Sequence, residues 1–523
     1  MPVSARPLVR LLACAAPLAL AAACTVGPDY KRPLPLPAGQ ATPLAFKEAG
    51  GWKPAQPLET LDKGAWWTVF GDATLSELVG QVAVTNQNVA AQEANYRQAL
   101  AILRASRADF FPQVGLNSSI TRSGGGNGSS GIIIGGVVTG GSTSTGATTG
   151  TGATTGTGTS TGTTGTVTTS GSNQTTRYQV GATGSWTIDV WGRIRRSVEA
   201  NRATAQASAA DLAAATLSAQ ATLATTYFNM RLLDEQKRIL GENLASYQRA
   251  LQVVTNQYNA GTVARGDVIQ QETQVFTTQA QLQDVDRQRQ ANEHAIAVLI
   301  GRPPSDLTLA AATLPRTAPV APTGLPSALL ERRPDVAGAE RAVMAANAQI
   351  GVAISAYFPD LTLSGTSTSS STTFGDIFDP SNFVWSIGPR LAYTLLDFGA
   401  RRAQVAQARA VYDRTVADYR QTVLTAFNEV EDQLAALRVL ELQQGTREQA
   451  ERSARRAEEI QLNQYRAGLQ PFTSVITAQQ QSLAAQQNSL SVLGLRLQAS
   501  VQLIQALGGG WSSADLPTGA DLR

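Results

Sequence analysis

The sequence predicts an α+β membrane protein that is built from two tandem repeats. A turn motif occurs twice, as Asn256-Gln-Tyr-Asn-Ala-Gly261 and as Asn463-Gln-Tyr-Arg-Ala-Gly468, with 207 residues between equivalent positions. Four segments alternate apolar and polar residues with a period of two, which is typical of strands. Long polar stretches flank both turn motifs and indicate helices. A duplication that keeps its register across such long elements is a property of the whole fold.

Residues 1–23 have the features of a bacterial lipoprotein signal peptide. A start with two arginines is followed by an apolar stretch at 11–20 and by three alanines before Cys24. We expect cleavage before Cys24, which then carries diacylglycerol and palmitate as the first residue of the mature chain. An ordinary secretory signal with an incidental cysteine is the alternative. Cys14 lies in the removed segment, so no intrachain disulfide is expected.

Residues 24–74 contain several prolines and are predicted to form an extended N-terminal segment. Beyond the signal peptide, no stretch approaches the roughly 18 apolar residues of a membrane-spanning helix. Any membrane crossing must therefore be made by strands, because backbone groups in lipid need partners within the protein. The 42 basic and 39 acidic residues nearly balance, so no nucleic acid partner is expected.

The first repeat is predicted to span residues 75–301. Its first helix, at about 75–109, ends before Pro112, because proline cannot continue a helix. A Gly/Thr/Ser tract at 123–175 has too few apolar residues to fold alone, and we expect it to be an extracellular loop. Strands are predicted on both sides of this tract, at about 113–122 and 176–189.

The second repeat, predicted at 335–508, has the same order of elements. A helix at about 335–357 ends before Pro359, and strands follow at about 360–370 and 383–397. The remaining segments are an inter-repeat linker and a C-terminal tail, at 302–334 and 509–523.

Four amphipathic strands cannot close in lipid, where unpaired edge groups are costly. Known membrane barrels begin at about eight strands, and a barrel of that size is filled by side chains. Several chains must therefore pool their strands: two chains give a filled barrel, and three or more leave a channel. A soluble four-stranded sheet packed on helices is the alternative.

The helices that follow the strands are too long for a globular domain. They begin after Gly192 and Gly399, which keep the spacing of 207 residues. The first runs without proline from Arg193 to Tyr258 and is about 100 Å long at 1.5 Å per residue. Each helix carries a heptad seam of apolar residues, namely Leu240, Leu244, Tyr247, Leu251, Val254 and Tyr258, and Tyr412, Val416, Tyr419, Val423, Ala426 and Val430.

Several motifs stand in a recognisable order: Cys24-Thr-Val-Gly-Pro-Asp-Tyr30, Trp66-Trp67, the two Phe-Pro junctions, Asp189-Val-Trp-Gly-Arg193, Leu330-Glu-Arg-Arg-Pro-Asp335, Leu395-Leu-Asp-Phe-Gly-Ala-Arg401 and the two turns. Together they resemble the TolC family, particularly its lipidated efflux channels of the OprM and NodT type. The resemblance covers essentially the whole mature sequence.

The resemblance implies a homotrimer whose twelve pooled strands form an outer membrane β-barrel, continuous with a long periplasmic α-helical barrel. The linker and the segment after residue 505 would belong to an equatorial belt. The trimer would be a lipid-anchored, passive exit duct for small molecules such as drugs. A periplasmic adaptor protein would join it to an inner membrane transporter of the RND type. Two alternatives stay open: the exit channel of a type I protein secretion system, and a surface coiled-coil stalk or adhesin.

The resemblance also implies that the two turns form the periplasmic tip, where the channel opens and the adaptor docks. Asp267 matches a position in a charged constriction, and Tyr465 matches an aromatic gate position. In the second turn Gln470 and Ser474 depart from the charged residues of the family pattern. A strongly ion-paired gate is therefore not expected.

Simpler structural roles compete with these assignments. Gly261 and Gly468 suit helix ends that require positive φ. Asp267 also complements the dipole at a helix N-terminus. Arg265 and Arg466, beside the turns, are expected to take part in adaptor docking.

The sequence shows no pattern of an enzyme. The sole histidine, His294, lies in a predicted helix without other metal-ligating residues at suitable spacing. We expect neither catalysis nor a metal, and no cofactor beyond the acyl groups on Cys24.

Overall fold

The computed structural model describes residues 25–37, 42–43, 45–49, 65–124, 174–316, 331–518 and 521–522. Cys24 with the signal segment, most of the Gly/Thr/Ser tract and linker residues 317–330 lie outside the described residues. The chain divides into two compact units. A strand unit comprises 111–188 and 360–392, and a helical unit comprises the rest of the chain.

The strand unit is one antiparallel sheet with the order β1-β2-β3-β4. Neighbouring strands are also neighbours in sequence, and the register pairs Leu116 with Ala182 and Ser369 with Phe383. The four strands are β1 Gln113–Gly124, β2 Gln174–Thr187, β3 Asp360–Ser371 and β4 Phe383–Ala392.

The fourth strand is shorter than the prediction of about 383–397, because it ends at Ala392. The alternation of apolar residues continues to Leu395, but the ladder stops at the pair Asp360–Ala392. The preceding residue of β3 is Pro359, which has no backbone N–H to donate. The missing partner, rather than the local pattern, sets the end of β4.

Directly paired residues point to the same side of a sheet, and this register separates an apolar from a polar face. Large apolar side chains on the first face are solvent-exposed, for example Leu116 at 86 % and Trp385 at 67 %. The apolar face consists of Val114, Leu116, Ile120, Tyr178, Val180, Ala182, Trp186, Leu361, Leu363, Phe383, Trp385, Ile387 and Leu391.

The helical unit repeats its element lengths as closely as the sequence repeats its turns. The helices are α1 Ala73–Thr85, α2 Gln87–Ala108, α3 Arg193–Asn259, α4 Arg265–Leu299, α5 Pro334–Ser355, α6 Ala400–Arg466 and α7 Phe472–Ala506. Both α3 and α6 have 67 residues, both α4 and α7 have 35, and both α2 and α5 have 22. Short 3-10 helices lie at Lys47–Ala49, Trp66–Phe70, Pro304–Asp306, Gly375–Phe378, Pro380–Asn382 and Ser513–Asp515.

The single helix predicted at about 75–109 is in fact two helices, α1 and α2, that meet at Asn86. The Asn86 Oδ1 accepts hydrogen bonds from the N–H groups of Asn88 and Val89 and so caps α2. Its Nδ2 donates to the carbonyl of Leu299, 2.7 Å away at the end of α4. The break depends on a contact more than two hundred residues distant, which the local pattern does not contain.

The main core of the helical unit lies between α3, α4, α6 and α7, with Trp66 and Trp67 packed against it. The predicted seam of α3 is buried at every seventh residue, since Leu240, Tyr247 and Val254 are at most 1 % exposed. Its last member was wrongly placed, because Tyr258 is 41 % exposed. Tyr258 stands in the last turn of α3, beyond the packed part of the seam.

The extended segment at 25–37 is held between α3 and α5. The Val26 N–H donates to the Trp191 carbonyl at 3.1 Å, and the buried Arg196 forms an ion pair with Asp29 at 2.7 Å. The Asn347 Nδ2 donates to the Pro28 carbonyl at 3.0 Å. The start of the described chain is thereby fixed to both repeats.

A buried charge network holds the described part of the inter-repeat linker. The Asp234 carboxylate accepts from Arg231 at 2.9 Å, from Arg289 at 2.7 Å and from the Ala312 N–H at 3.3 Å. The Leu309 carbonyl accepts from Arg289, and the Leu309 N–H donates to Glu293, both at 2.5 Å. Four charged side chains thus replace water around this stretch of backbone.

Across the described residues, none of the helices is both long enough and apolar enough to cross a membrane.

Candidate functional site

The two turns of the duplicated motif end α3 and α6 in the same way. In the first, the N–H of Gly261 donates to Tyr258 and the N–H of Thr262 to Gln257. In the second, Gly468 donates to Tyr465 and Leu469 to Gln464. This paired pattern satisfies the last carbonyl groups of a helix and requires a left-handed residue.

The glycines of the two turns are required by backbone geometry rather than by lack of space. Gly261 has φ of 76° and Gly468 has φ of 74°, a region that costs other residues energy. A Cβ at either position would meet nothing within 4 Å. The requirement for glycine in these turns therefore comes from the positive φ and not from close packing against neighbouring elements.

Asp267 and Ser474 occupy the same place, the third residue of α4 and of α7. Both are partly exposed. An acidic residue at this position is favoured by the helix dipole. Among the residues that the structure describes, Asp267 has no ion-pair partner within 4 Å. Its charge is therefore available to solvent or to another chain.

The two turns are joined by Tyr465. Its hydroxyl donates to the Oε1 of Gln257 at 2.6 Å, and its ring lies 5.0 Å from that of Phe472. Val254, Phe472 and Val475 are buried beside this pair. Burial, followed by the nearby Asp267 carboxylate, raises the pKa of Tyr465 above 10.0, so the phenol stays protonated and able to donate.

Gln257 is a residue beside the two turns that the sequence reasoning missed. The motif Asn-Gln-Tyr occurs in both turns, and the observed hydrogen bond joins the tyrosine of the second copy to the glutamine of the first. The register between two long helices decides this contact.

The charged and polar candidates of the second turn face solvent. Arg466 and Gln470 are exposed, as is Arg265 at the start of α4. Within the described part of the chain, neither arginine lies within 4 Å of a carboxylate. The structure therefore brings Tyr465 close to Asp267 and Gln257, and it leaves the arginines on the surface.

The glycines that precede the long helices also have positive φ, 83° at Gly192 and 95° at Gly399. A Cβ on Gly192 would lie 2.9 Å from the Cγ2 of Thr25, so the N-terminal segment passes directly over it. Gly399 has open space around it. Gly192 is needed because its φ is positive and because a Cβ would have no room, whereas Gly399 is needed because its φ is positive.

Two aspartates of the quoted motifs, which the sequence reasoning did not select, cap the long helices. Asp189 accepts from the N–H groups of Ile194 and Arg195, and Asp397 accepts from those of Gly399 and Arg401. The Arg401 side chain beside Asp397 holds the pKa of that carboxyl down, at about 2. The signal was their spacing before the glycines, which places a carboxylate over the first turn.

The prolines before the strands have separate surroundings. The carbonyl of Pro359 accepts from the indole N–H of Trp191 at 2.9 Å, and Trp191 stacks on Phe358 with 4.7 Å between ring centres. Pro112 lies in the short irregular stretch between α2 and β1.

A duplicated helical unit with long paired helices and an amphipathic four-stranded sheet indicate a transport protein. The family model for outer membrane efflux proteins matches residues 78–302 and 325–509. The chain belongs to the outer membrane efflux protein family, which confirms the family resemblance of its motifs and makes it a non-enzymatic protein of the outer membrane.

Similar proteins of known name and structure cover nearly the whole chain. The pyoverdine export outer membrane protein OpmQ of Pseudomonas aeruginosa is 29 % identical, over 95 % of this chain and 97 % of its own length. The cation efflux system protein CusC of Escherichia coli is 27 % identical, over 93 % and 96 %. The solved structure of the outer-membrane channel OprN is 27 % identical with a TM-score of 0.77, and it covers 93 % of this chain and 100 % of that chain.

Efflux through the outer membrane is therefore the function of this protein. Among the described residues, no three or more His, Cys, Asp or Glu side chains form a group that could hold a metal ion.

Proposed function

We propose that three copies of this chain form the exit duct of a tripartite efflux pump, which passively conducts small molecules out of the cell. The copies pool their strands into a twelve-stranded β-barrel in the outer membrane, and their helices form a periplasmic α-helical barrel. A periplasmic adaptor protein and an inner membrane transporter of the RND type deliver the cargo.

The observation that carries this proposal is an open, amphipathic sheet of four strands. In the described residues, β1 and β4 each pair with one neighbour, and large side chains of the apolar face are exposed. Lipid suits such a face, but an unpaired strand edge in lipid costs several kcal/mol per group. Twelve strands from three copies remove every edge and leave an open interior, within the range of about 8 to 26 strands known for such barrels.

The tip turns are the proposed periplasmic entrance. Three copies of Asp267 around a symmetry axis form a ring of carboxylates, which favours cations. Gln470 and Ser474 supply no charge there, so the acidic ring rests on the first repeat alone. Arg265 and Arg466, both exposed, form part of the adaptor docking surface.

Cys24 is the proposed site of lipid attachment. The described chain begins at Thr25, and Val26 and Asp29 are tied to Trp191 and Arg196. Mass spectrometry of the mature N-terminus tests the modification: a triacylated cysteine is expected, and an unmodified cysteine contradicts it.

Reconstitution tests the duct itself. We expect light scattering of detergent-solubilised protein to give a trimer, and planar bilayers containing it to show discrete ion conductance. A monomeric or trimeric protein that forms no pore would refute the proposal and favour the coiled-coil stalk.

Small-molecule export is favoured over protein secretion, because OpmQ and CusC are named for the export of pyoverdine and of cations. Expression with a matching adaptor and transporter in an efflux-deficient host should restore resistance to toxic small molecules. Secretion of a polypeptide without a gain of resistance would reverse this choice.

A further inference from the structure

The loop between β3 and β4, residues 372–382, folds back over the apolar face of its own sheet. Its Ile377 is only 5 % exposed, and the Ile377 carbonyl accepts a 2.5 Å hydrogen bond from the Ser369 hydroxyl. The ring of Phe374 lies 5.6 Å from that of Tyr178, which belongs to the apolar face. The loop therefore covers the face instead of extending away from the strand ends.

The loop covers a group of serines that interrupts the apolar face. The register places Ser367, Ser369 and Ser371 on the apolar side of β3, between Val180 on β2 and Phe383 on β4. A bare serine hydroxyl facing hydrocarbon lacks a hydrogen-bond partner, which costs a few kcal/mol. Ser369 is 7 % exposed and bonded to the loop, so its hydroxyl has both cover and a partner.

The outer surface of the loop is apolar, although no described part of its own unit covers it. Phe374 is 62 % exposed and Phe378 is 77 % exposed, and Phe383 and Trp385 beside them are 54 % and 67 % exposed. A cleft of about 520 Å³ opens between the loop and the strands, lined by apolar residues such as Leu116, Val180 and Phe378. Aromatic side chains gather at the interfacial levels of membrane-spanning strands, where one side is apolar and the other wet.

The charge at the cleft is compatible with contact to lipid. Among the described residues that line the cleft, the charged one is Asp379. Its Oδ1 caps the next turn by accepting from the N–H of Ser381 at 3.0 Å and from the Ser381 hydroxyl at 2.8 Å. These bonds hold the pKa of Asp379 below its usual range. The Oδ1 of this carboxylate thus has both of its partners within the loop.

We propose that the β3–β4 loop is a membrane-interface element, and that the cleft beneath Phe378 takes acyl chains of the outer leaflet of the outer membrane. The occupant follows from continuity, because the cleft is part of the same apolar face that the duct turns toward lipid. This inference rests on the proposed function. It adds that this loop lies in the membrane boundary and fixes the depth of the barrel.

The geometry also predicts an order of depth. Ile377, the residue before Phe378, is bonded to Ser369, which pairs with Phe383, and Ile387 lies four residues further along β4. At about 3.3 Å per residue this separates the two levels by roughly 13 Å along the strand. Phe378 should therefore be shallow and Ile387 deep.

Site-specific labels can measure this order in the full-length trimer. Three variants, Phe378→Cys, Ile387→Cys and Asn117→Cys, receive the same fluorophore and are reconstituted in phosphatidylcholine vesicles with brominated acyl chains. Asn117 lies on the polar face of β1 and is the matched control. We expect quenching at 378 and 387 and none at 117. Bromine near the headgroup should quench 378 more strongly than 387, and bromine near the chain end should quench 387 more strongly than 378.

The outcomes distinguish a failure of the loop proposal from a failure of the proposed duct. Quenching at 387 without quenching at 378 overturns the loop proposal and leaves the duct in place. Absence of quenching at both positions overturns the duct as well. Disulfide crosslinks between Phe378→Cys copies without lipid quenching would assign the cleft to a second copy of the chain, and the proposal would fail.

Discussion

The hydroxyl of Tyr465 offers a direct test of the gate that we propose at the two turns. Tyr465→Phe removes one oxygen and keeps the ring that lies 5.0 Å from Phe472. The lost contact is the 2.6 Å hydrogen bond to Gln257, which joins the end of α6 to the end of α3. Movement of one helical hairpin away from the other breaks this bond, so it favours the closed arrangement.

The size of the effect follows from three equivalent bonds. A neutral hydrogen bond contributes about 0.5–1.5 kcal/mol net. If the three copies open together, Tyr465→Phe costs the closed state about 1.5–4.5 kcal/mol, which is roughly a 10- to 2,000-fold change in the closed-to-open ratio. Because the Tyr465 pKa is raised in the folded protein, the contribution is present below pH 10 and is lost only as the pH rises beyond it.

Single-channel recording of reconstituted trimers measures this ratio as the open probability. The matched control is Tyr258→Phe, the same change at the equivalent residue of the first turn, whose side chain is 41 % exposed. We expect a higher open probability for Tyr465→Phe and wild-type behaviour for Tyr258→Phe. Equal behaviour of both variants would refute the role of the Tyr465–Gln257 bond.

Three further predictions concern other parts of the helical unit. Asp267→Ala should reduce the cation preference of the trimer, measured as the reversal potential in a salt gradient, or raise its single-channel conductance. An unchanged channel contradicts the acidic ring. Arg466→Glu should lower the yield of crosslinks to the adaptor, and a wild-type yield would remove this residue from the docking surface. Asp234→Asn leaves two buried guanidinium groups underneutralised and should weaken the hold on the linker by about 3 kcal/mol, or roughly 100-fold in hydrogen exchange at the Leu309 amide. The exposed pair partner Asp284, changed to Asn, serves as the control, because exposed ion pairs contribute about 0–1 kcal/mol.

The duplication and the long helices could be predicted from sequence because they depend on local patterns. Prolines, glycines and heptad repeats are recognised from residues that lie close together in the sequence. Helices α3 and α6 begin directly after Gly192 and Gly399, as expected. The end of β4 at Ala392 could not be predicted in this way, since it depends on where its partner strand begins. Asn86 splits a helical pattern for the same reason, because its side chain bonds to Leu299.

The candidate site shows the same division. Positive φ at Gly261 and Gly468 follows from a turn motif that can be read directly. The Tyr465–Gln257 bond depends on the alignment of two helices that are each 67 residues long. A rotation of one helix by a single residue, about 100°, would remove the contact. Side-chain partners across such helices are therefore a property of packing, which no local pattern encodes.

The two repeats share their backbone geometry but differ in the polar side chains at their turns. Equal helix lengths and equal glycine angles mean that both hairpins can reach the same level at the tip. The first hairpin holds the acidic Asp267 and the acceptor Gln257, whereas the second holds the donor Tyr465 and the neutral Ser474. A donor and its acceptor on different hairpins make closure depend on how the hairpins sit against each other. In the proposed duct, two identical turns could supply the charge ring twice, but they would carry no such asymmetric contact. Divergence after duplication would then allow the proposed gate to respond to movement between the two hairpins.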